Sequence, residues 1–333
     1  MKQFMSRHAT EWVLLGLLVV LFFAVSTLSP NFLSSNNIFQ LARQMVELSI
    51  ITSAMACIII SGGIDLSLGA QVGLTAVTMA VLAVNGCPLA VAMLVGLLVA
   101  LAAGAINGVL VGYVGVPPLV ATLGTSLVFA GAATVMSRGR AVSGFPKEYL
   151  VFGQTMWGPV PAQVVAMLAI AALTWLLMTS TRWGRKVYLI GANPIAARFA
   201  GIRVPRVLLT TYVFAALLAF VVAVILSSRT ATARVDLGDA YVLSAISAVV
   251  FGGISIMGGR GNVLGAFLGV AIFTVIQNGL GLAGVSVFIQ TVVIGAILIV
   301  VLTARELFAR ARALRTTSAL QPSAVATTKE ESL

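Results

Sequence analysis

Asp65 is the residue whose type and position most strongly suggest a chemical role. It stands in the segment Ser61–Gly69 (SGGIDLSLG), more closely enclosed by apolar sequence than any other acidic residue. A carboxylate inside a membrane is costly and marks a pathway or a gate, whereas one at the start of a helix caps that helix. The sequence leaves both roles open. Gly62 and Gly63 permit a helix break here, provided that the freed backbone groups face protein or a cavity.

Neutral polar residues also interrupt the apolar runs, and no Lys, Arg or Glu does so except Glu47, which we place near the end of a run. This polarity suits a pathway for a neutral polyhydroxylated solute. It argues against a proton-driven carrier, which needs a buried carboxylate or histidine. The same side chains serve equally well as contacts between helices. With Asp65, the candidate pathway residues are Gly62, Gly63, Gln71, Asn107, Gln277 and Asn278.

The segment 251–262 (FGGISIMGGRGN) carries five glycines. Glycine can cradle phosphate, but no lysine in the chain follows a glycine, so a Walker A loop is absent. Close helix packing and a tight turn explain these glycines. Aligning 62–69 with 252–259 matches Gly62 with Gly252 and hints at an internal duplication.

We expect no catalytic residue, cofactor site or metal site in this chain. The single histidine, His8, lies in the N-terminal tail without a catalytic partner. Cys57 and Cys87 lack metal-ligand spacing, and a disulfide between them is not expected. These observations make an intramembrane enzyme the least favoured alternative.

The composition indicates a membrane protein. Of 333 residues, 60% are hydrophobic and 9% charged, against about 45–50% and about 25% in a soluble domain. Runs of about 20 apolar residues recur from residue 12 to residue 303, each long enough to cross a hydrocarbon core of about 30 Å. These numbers exclude a soluble globular or disordered protein. We therefore predict an all-α polytopic protein of about ten transmembrane helices, since an open strand cannot satisfy its backbone in lipid.

The sequence also predicts the boundaries of tails, loops and spans. Residues 1–11 and 304–333 are predicted to form tails in the cytoplasm, the second disordered after 315, around a transmembrane domain at 12–303. Pro30 to Gln40 predicts a polar turn and a short interfacial helix, and the loop 137–161 a small amphipathic element. Ala24-Val25-Ser26 resembles a signal-peptide cleavage site, so removal of the first span stays open. The predicted spans are 12–28, 44–60, 66–84, 88–112, 117–136, 162–180, 207–228, 241–257, 263–284 and 286–303.

Charge placement predicts the orientation. Twenty Lys and Arg against nine Asp and Glu give +11, a balance that suggests nucleic acid in a soluble chain, but no basic stripe interleaved with aromatics occurs here. Ten spans place fourteen basic residues inside and six outside, which puts both termini in the cytoplasm. The six outside are Arg43, Arg138, Arg140, Lys147, Arg229 and Arg234.

The loop 181–206 holds six basic residues and no acidic one. Asn193 is a good N-cap, Pro194 suits the first helical position, and Gly201 can adopt the left-handed conformation that ends a helix. The sequence therefore predicts a helix of two turns at 194–200. It is either an incidental interfacial helix or a docking element for a cytoplasmic partner.

Four segments together resemble a known family. They are GGIDLSLG at 62–69, GANPIAARFAGI at 191–202, VVFGGISIMGGRGNVLGAFLG at 249–269 and QNGL at 277–280. They are similar, in this order, to the ribose/galactose/arabinose-type permease subunits of bacterial ABC importers, and the similarity extends from about residue 11 to residue 303. The departures are Leu68, where valine is usual, and an extended C-terminal tail.

The resemblance implies a ten-span subunit of the bacterial inner membrane that imports a monosaccharide. The implied partners are a second permease copy or a paralogue, a periplasmic sugar-binding protein and a cytoplasmic ATPase that binds the ATP and Mg. A branched-chain amino-acid-type permease and a secondary sugar carrier remain alternatives. The segment that resembles the coupling element docking on the ATPase contains Gly191, Asn193, Pro194, Ala196, Ala197, Arg198, Gly201 and Ile202.

Overall fold

The computed structural model describes residues 9–158, 160–286, 288–293, 295–297, 299–300 and 303. The chain forms two compact units, one ending at Val285 and the other beginning at Ser286. In the second unit, the described residues between Phe288 and Ile297 are helical. The predictions for residues 1–8 and 304–333, and for part of the tenth span, fall outside the described residues.

The fold is mostly helical, and twelve α-helices are described in the first unit. Six of them (α2, α4, α5, α7, α10 and α12 below) are long and apolar enough to cross a membrane, and further apolar helices are shorter. A π-helical turn at Leu110–Val114 extends α4. The helices are α1 (Ala9–Leu28), α2 (Ser35–Ile60), α3 (Leu68–Val84), α4 (Leu89–Val109), α5 (Pro118–Ser137), α6 (Lys147–Gln154), α7 (Ala162–Ser180), α8 (Arg182–Ala192), α9 (Pro194–Phe199), α10 (Val204–Thr230), α11 (Asp239–Phe251) and α12 (Val263–Leu282).

Four strands of two residues each depart from the all-helical prediction. β1 (Val142–Ser143) pairs antiparallel with β4 (Thr232–Ala233), and β2 (Met156–Trp157) with β3 (Val160–Pro161). Such short pairings carry no alternating pattern that a sequence could reveal. The amphipathic element predicted within the loop 137–161 is confirmed as α6.

Helix α10 lies at the centre of the packing, against α2, α3 and α4. Its contact with α4 uses glycines four residues apart. A Cβ added at Gly104 would lie 2.5 Å from the Ala216 Cβ, and one at Gly108 would lie 2.7 Å from the Leu209 Cα. Small residues at these positions let the two backbones approach closely.

Helix α2 begins nine residues before the predicted span 44–60, so the separate interfacial helix predicted near Gln40 is wrong. The Ser34 Oγ accepts a hydrogen bond from the Asn37 N–H at 3.3 Å and caps the longer helix. In this polar first turn Ser35 and Asn36 are exposed, and Asn37 can be buried because its side chain is hydrogen-bonded. Glu47, expected near a span end, consequently lies in the middle of α2.

Helix α11 ends at Phe251, six residues short of the predicted span 241–257. The chain turns at Gly253, whose φ of +96° is in the left-handed region that favours glycine. The predicted helix at 194–200 is confirmed within one residue as α9.

Helix α8 was missed by the sequence analysis because Gly184 and Gly191 count against a helix in propensity terms. Its first turn is capped by the Thr181 Oγ1, which accepts from the Gly184 N–H at 3.1 Å. Val187 and Ile190 bury its apolar face. Gly184 is needed for packing, since a Cβ there would lie 2.3 Å from the Met178 O.

Candidate functional site

Asp65 lies in the break between α2 and α3, outside both helices, and is fully buried. Its Oδ1 accepts hydrogen bonds from the backbone N–H of Ser67 at 2.8 Å and from the Ser67 hydroxyl at 2.6 Å. The N-cap residue of α3 is Ser67 rather than Asp65. The carboxylate therefore fixes the turn that leads into α3.

The Ser67 hydroxyl connects Asp65 to the surrounding helices. Its oxygen accepts from the Gln71 Nε2 at 2.8 Å and from the Asn107 Nδ2 at 2.7 Å. The Thr125 hydroxyl donates to the Asn107 Oδ1 at 2.7 Å. We call Asp65, Ser67, Gln71, Asn107 and Thr125 the Asp65 cluster. It joins the break to α3, α4 and α5, and it contains three of the predicted pathway residues.

Burial raises the pKa of the Asp65 carboxyl to about 6, while the hydrogen bonds from Ser67, Asn107 and Gln71 act in the opposite direction. The Gln71 Nε2 lies 3.4 Å from the Asp65 Oδ2. A carboxyl group that titrates near neutrality in a polar cluster is a candidate functional group.

A group of glycines packs α8 and the segment 251–262 against the end of α2. The Gly259 N–H donates to the Ile60 O at 2.9 Å. A Cβ added at Gly191 would lie 1.8 Å from the Ile60 O, and one at Gly258 would lie 2.8 Å from the Gly62 Cα. We call Ile60, Gly62, Gly191, Gly258 and Gly259 the glycine junction. Its backbones touch directly, so α8 packs against the break that holds Asp65.

The chain leaves α2 at Gly62 and α11 at Gly253 in the same way. The Gly62 N–H donates to the Ile59 O at 2.9 Å, and the Gly253 N–H donates to the Val250 O at 3.0 Å. Both glycines have positive φ, +90° and +96°. These bonds match Gly62 with Gly253, so the alignment of Gly62 with Gly252 is shifted by one residue.

Helix α9 is a short helix with defined ends. The Asn193 Oδ1 accepts from the N–H groups of Ile195 and Ala196, both at 3.0 Å. Gly201 follows with a φ of +80°. Ile195 is 68% exposed and Phe199 89% exposed, and both lie on one face because they are four residues apart. Of the other predicted coupling residues, Ala197 is buried, Gly191, in the glycine junction, and Ile202 are half-buried, and Pro194, Ala196 and Arg198 are exposed.

A cleft of about 770 Å³ lies beside α8 and residues 251–262, which we call the glycine segment. The Tyr188 hydroxyl in its wall donates to the Gly261 O at 2.9 Å. Burial raises the pKa of Tyr188 to about 12. The Asn262 Nδ2 donates to the Glu11 Oε1 at 2.8 Å. These contacts fasten the glycine segment to α8 and α1.

The remaining pathway candidates belong to α12. Gln277 is half-buried. Asn278 exchanges two hydrogen bonds with Asn37, each amide donating to the other's oxygen at 3.0 and 2.9 Å. Asn278 thus joins α12 to α2, whereas the Asp65 cluster joins the break to α3, α4 and α5.

Sequence reasoning missed an ion pair inside the fold. The Arg229 Nη1 lies 3.0 Å from the Oε1 of Glu47, which is fully buried. A carboxylate between apolar runs and an arginine near the end of another run were the available signals. Nothing in the sequence indicates that the two helices bring them together.

Polar residues also surround the start of α11. The Arg234 Nε donates to the Asp236 Oδ1 at 2.9 Å, and these two side chains and Asp239 are exposed. The 13 residues of α11 give a length of about 20 Å, which is shorter than a hydrocarbon core of about 30 Å. Because α11 is too short to cross this core alone, the backbone that precedes it at membrane depth must face protein or water.

The described part of the chain offers few groups for metal or redox chemistry. Within it, no three His, Cys, Asp or Glu side chains form a group that could hold a metal ion. Cys57 is a buried free thiol and Cys87 a half-buried one.

Comparison with known proteins points to membrane permeases. Residues 37–302 match the family described as the permease component of branched-chain amino acid transport systems. The chain is 36% identical over 307 residues to the autoinducer 2 import system permease protein of Salmonella paratyphi A, which covers 90% of this chain and 92% of that protein. It is 39% identical over 285 residues to the ribose import permease protein of Bacillus subtilis, which covers 85% of this chain and 88% of that protein. No solved structure matches the chain.

Proposed function

Because the chain belongs to the family of transport-system permease components, we propose that it is the membrane subunit of an ABC importer for a ribose-like monosaccharide. The family match over residues 37–302 supports the permease role, and the 39% identity to a ribose import permease supports the sugar substrate. Two relatives are named for import of ribose and of autoinducer 2. A branched-chain amino acid substrate is not favoured, since neither relative carries that name.

The proposed topology has ten spans with both termini in the cytoplasm. Six long apolar helices and four shorter ones supply the ten segments. Contacts between loops support the assignment: Gly62, Gly191 and Gly258 meet at one end of the fold, and all three belong to segments that the topology places inside. β1 and β4, which the topology places outside, pair with each other.

The proposed coupling element is α9 with its flanking residues, docked on a cytoplasmic ATPase. Its capped start at Asn193 and its left-handed end at Gly201 give it a fixed shape. Large exposed apolar side chains at Ile195 and Phe199 are typical of a protein interface. The glycine junction then carries a displacement of α9 to the Asp65 break.

The Asp65 cluster is the proposed gate, and the polar start of α11 is a proposed part of the pathway. The Ser67 hydroxyl joins Asp65 to α3 and α4, and Thr125 on α5 is joined to the cluster through Asn107. The exposed Asp236 and Asp239 offer acceptors for the hydroxyl groups of a sugar. A second permease copy or a paralogue would enclose this exposed polar surface, and a periplasmic binding protein would deliver the sugar.

Reconstituted transport tests this function. Proteoliposomes that contain the permease, its ATPase and the cognate binding protein should accumulate radiolabelled ribose only with ATP. The permease without the ATPase should neither bind nor hydrolyse ATP. Uptake that persists without the ATPase would identify a secondary carrier instead.

Reporter fusions test the topology separately. Fusions at residues 145, 193 and 320 should read outside, inside and inside. A periplasmic position for residue 193 would overturn both the topology and the docking of α9.

A further inference from the structure

The tip of the glycine segment carries large side chains that the fold leaves uncovered. Ile256 is 37% exposed and Met257 86% exposed, and Arg260 is exposed as well. We call Ile256, Met257 and Arg260 the loop tip. Large apolar side chains grouped on a surface indicate an interaction site.

The backbone packing of the segment explains this exposure. Gly258 and Gly259 belong to the glycine junction, where a Cβ at Gly259 would lie 2.5 Å from the Ala192 Cα. The Ser255 N–H donates to the Arg260 O at 3.0 Å and closes the turn. Because its glycines pack against Ala192 and the end of α2, the segment exposes Met257 at its tip.

The loop tip and α9 are neighbours on one surface. Ala192, which packs against Gly259, is followed directly by Asn193, the N-cap of α9. The two elements also offer the same kinds of side chain. Ile195, Phe199 and Arg198 on α9 correspond in type to Ile256, Met257 and Arg260 on the loop tip, and all six are exposed.

We propose that the loop tip is a second contact for the same ATPase subunit that docks on α9. This inference rests on the proposed function, because it requires α9 to be the coupling element. The ATPase would then hold α9 and the loop tip on either side of the glycine junction. A relative movement of the two contacts would act directly on Ile60 and Gly62, at the end of α2.

Cysteine protection tests this contact. In a background with Cys57→Ala and Cys87→Ser, the variants Met257→Cys, Phe199→Cys and Arg182→Cys are labelled with a membrane-impermeant maleimide in inverted vesicles, with and without the ATPase. Arg182 is an exposed control at the far end of α8, about 15 Å from the junction by helix length. Without the ATPase all three should be labelled. With it, Met257→Cys and Phe199→Cys should lose most of their labelling, because residues at the centre of an interface are shielded from water, and Arg182→Cys should be labelled as before.

The outcomes separate the two claims. Protection of Phe199→Cys with full labelling of Met257→Cys overturns the second contact and leaves the proposed function intact. If neither Phe199→Cys nor Met257→Cys is protected, the docking of α9 itself is overturned. Met257→Cys that resists the reagent without the ATPase lies in lipid, and equal protection of Arg182→Cys means that the effect is not local. Either result also overturns the second contact.

Substitution of the tip gives an independent measurement. Met257→Asp should insert normally, because the side chain points away from the fold, and should reduce co-purification of the ATPase about tenfold, as loss of an interface anchor does. Met257→Leu, which preserves the apolar contact, should behave like the unchanged chain. Normal co-purification with Met257→Asp would contradict the proposal.

Discussion

Glu47 and Arg229 form an ion pair between the middle of α2 and the end of α10, with 3.0 Å between the Oε1 and the Nη1. Glu47 is fully buried, whereas Arg229 is partly exposed. A buried carboxylate is tolerated only when a partner compensates it, and removal of that partner leaves an unpaired charge inside the protein. The pair therefore fixes the position of the end of α10 beside the middle of α2.

Arg229→Gln should destabilise the protein strongly, by about 3–5 kcal/mol, because Glu47 loses its compensating charge. The double variant Glu47→Gln/Arg229→Gln should recover part of the loss. Thermal unfolding in detergent measures both. Arg234→Gln is the matched control, since its partner Asp236 is exposed, and it should change stability little. Equal losses from Arg229→Gln and Arg234→Gln would show that burial of Glu47 is unimportant.

Asp65→Asn should abolish sugar uptake while leaving insertion and membrane level intact. Asparagine keeps an oxygen for the two hydrogen bonds from Ser67, so the turn into α3 survives. It removes the charge and puts an amide toward Gln71. Uptake in cells, with quantification of the permease in membranes, decides between the two roles. Normal uptake would assign Asp65 to the structure of the turn alone.

The pH dependence of stability should reveal the same carboxyl. Its pKa rises from 3.8 in the reference state to about 6 when folded. The folded protein thus holds the proton more tightly, and this contribution to stability is present below pH 3.8 and lost as the pH rises through 6. Relative to the unchanged chain, Asp65→Asn should therefore gain in melting temperature as the pH rises from about 4 to about 6, and the difference should be constant at higher pH. A pH-independent difference would mean that Asp65 does not titrate in this range.

Local rules in the sequence predicted the parts of the site that depend on neighbours along the chain. The cap at Asn193 and the left-handed Gly201 follow from residue type alone, and both are confirmed. The long helices were also predictable, because the length of an apolar run is a local property of the sequence. The start of α2 was missed because the buried Asn37 amide is paired with Asn278, 241 residues away, a contact that the local sequence does not reveal.

Contacts between distant segments were beyond sequence reasoning. Gly191 reads as a helix breaker, yet the fold needs it in a helix because Ile60 approaches its Cα. From the sequence, Glu47 and Arg229 each lie near the end of a predicted span. Only the packing of α2 against α10 brings the two side chains together. Such pairings depend on tertiary packing, which propensity and periodicity do not encode.

Gly191→Ala should disturb the glycine junction. The added methyl group would lie 1.8 Å from the Ile60 O and 2.6 Å from the Gly259 N, and overpacking of this kind costs about 1–3 kcal/mol. Thermal unfolding and ATP-dependent uptake should both fall. Gly131→Ala in α5 is the control, because a Cβ there meets nothing within 4 Å, and alanine favours a helix. A loss no greater than that of Gly131→Ala would contradict close packing at the junction.

Gly201→Val should uncouple the permease from its ATPase. A Cβ at this position meets nothing within 4 Å, so the effect comes from the backbone, whose φ is +80°. A β-branched residue is strained there by about 1 kcal/mol or more, which redirects the chain between α9 and α10. We expect normal insertion, with loss of ATPase co-purification and of uptake.

Two further variants make the Gly201 test specific. Gly201→Asn should retain most activity, because asparagine tolerates the left-handed conformation better than valine does. Arg198→Glu, which reverses one exposed charge on α9, should give a milder defect than Gly201→Val, since an exposed ion pair contributes little. If Gly201→Val kept full ATPase binding and full transport, the shape of α9 would not matter for coupling. The helix would then be an incidental element of the cytoplasmic loop.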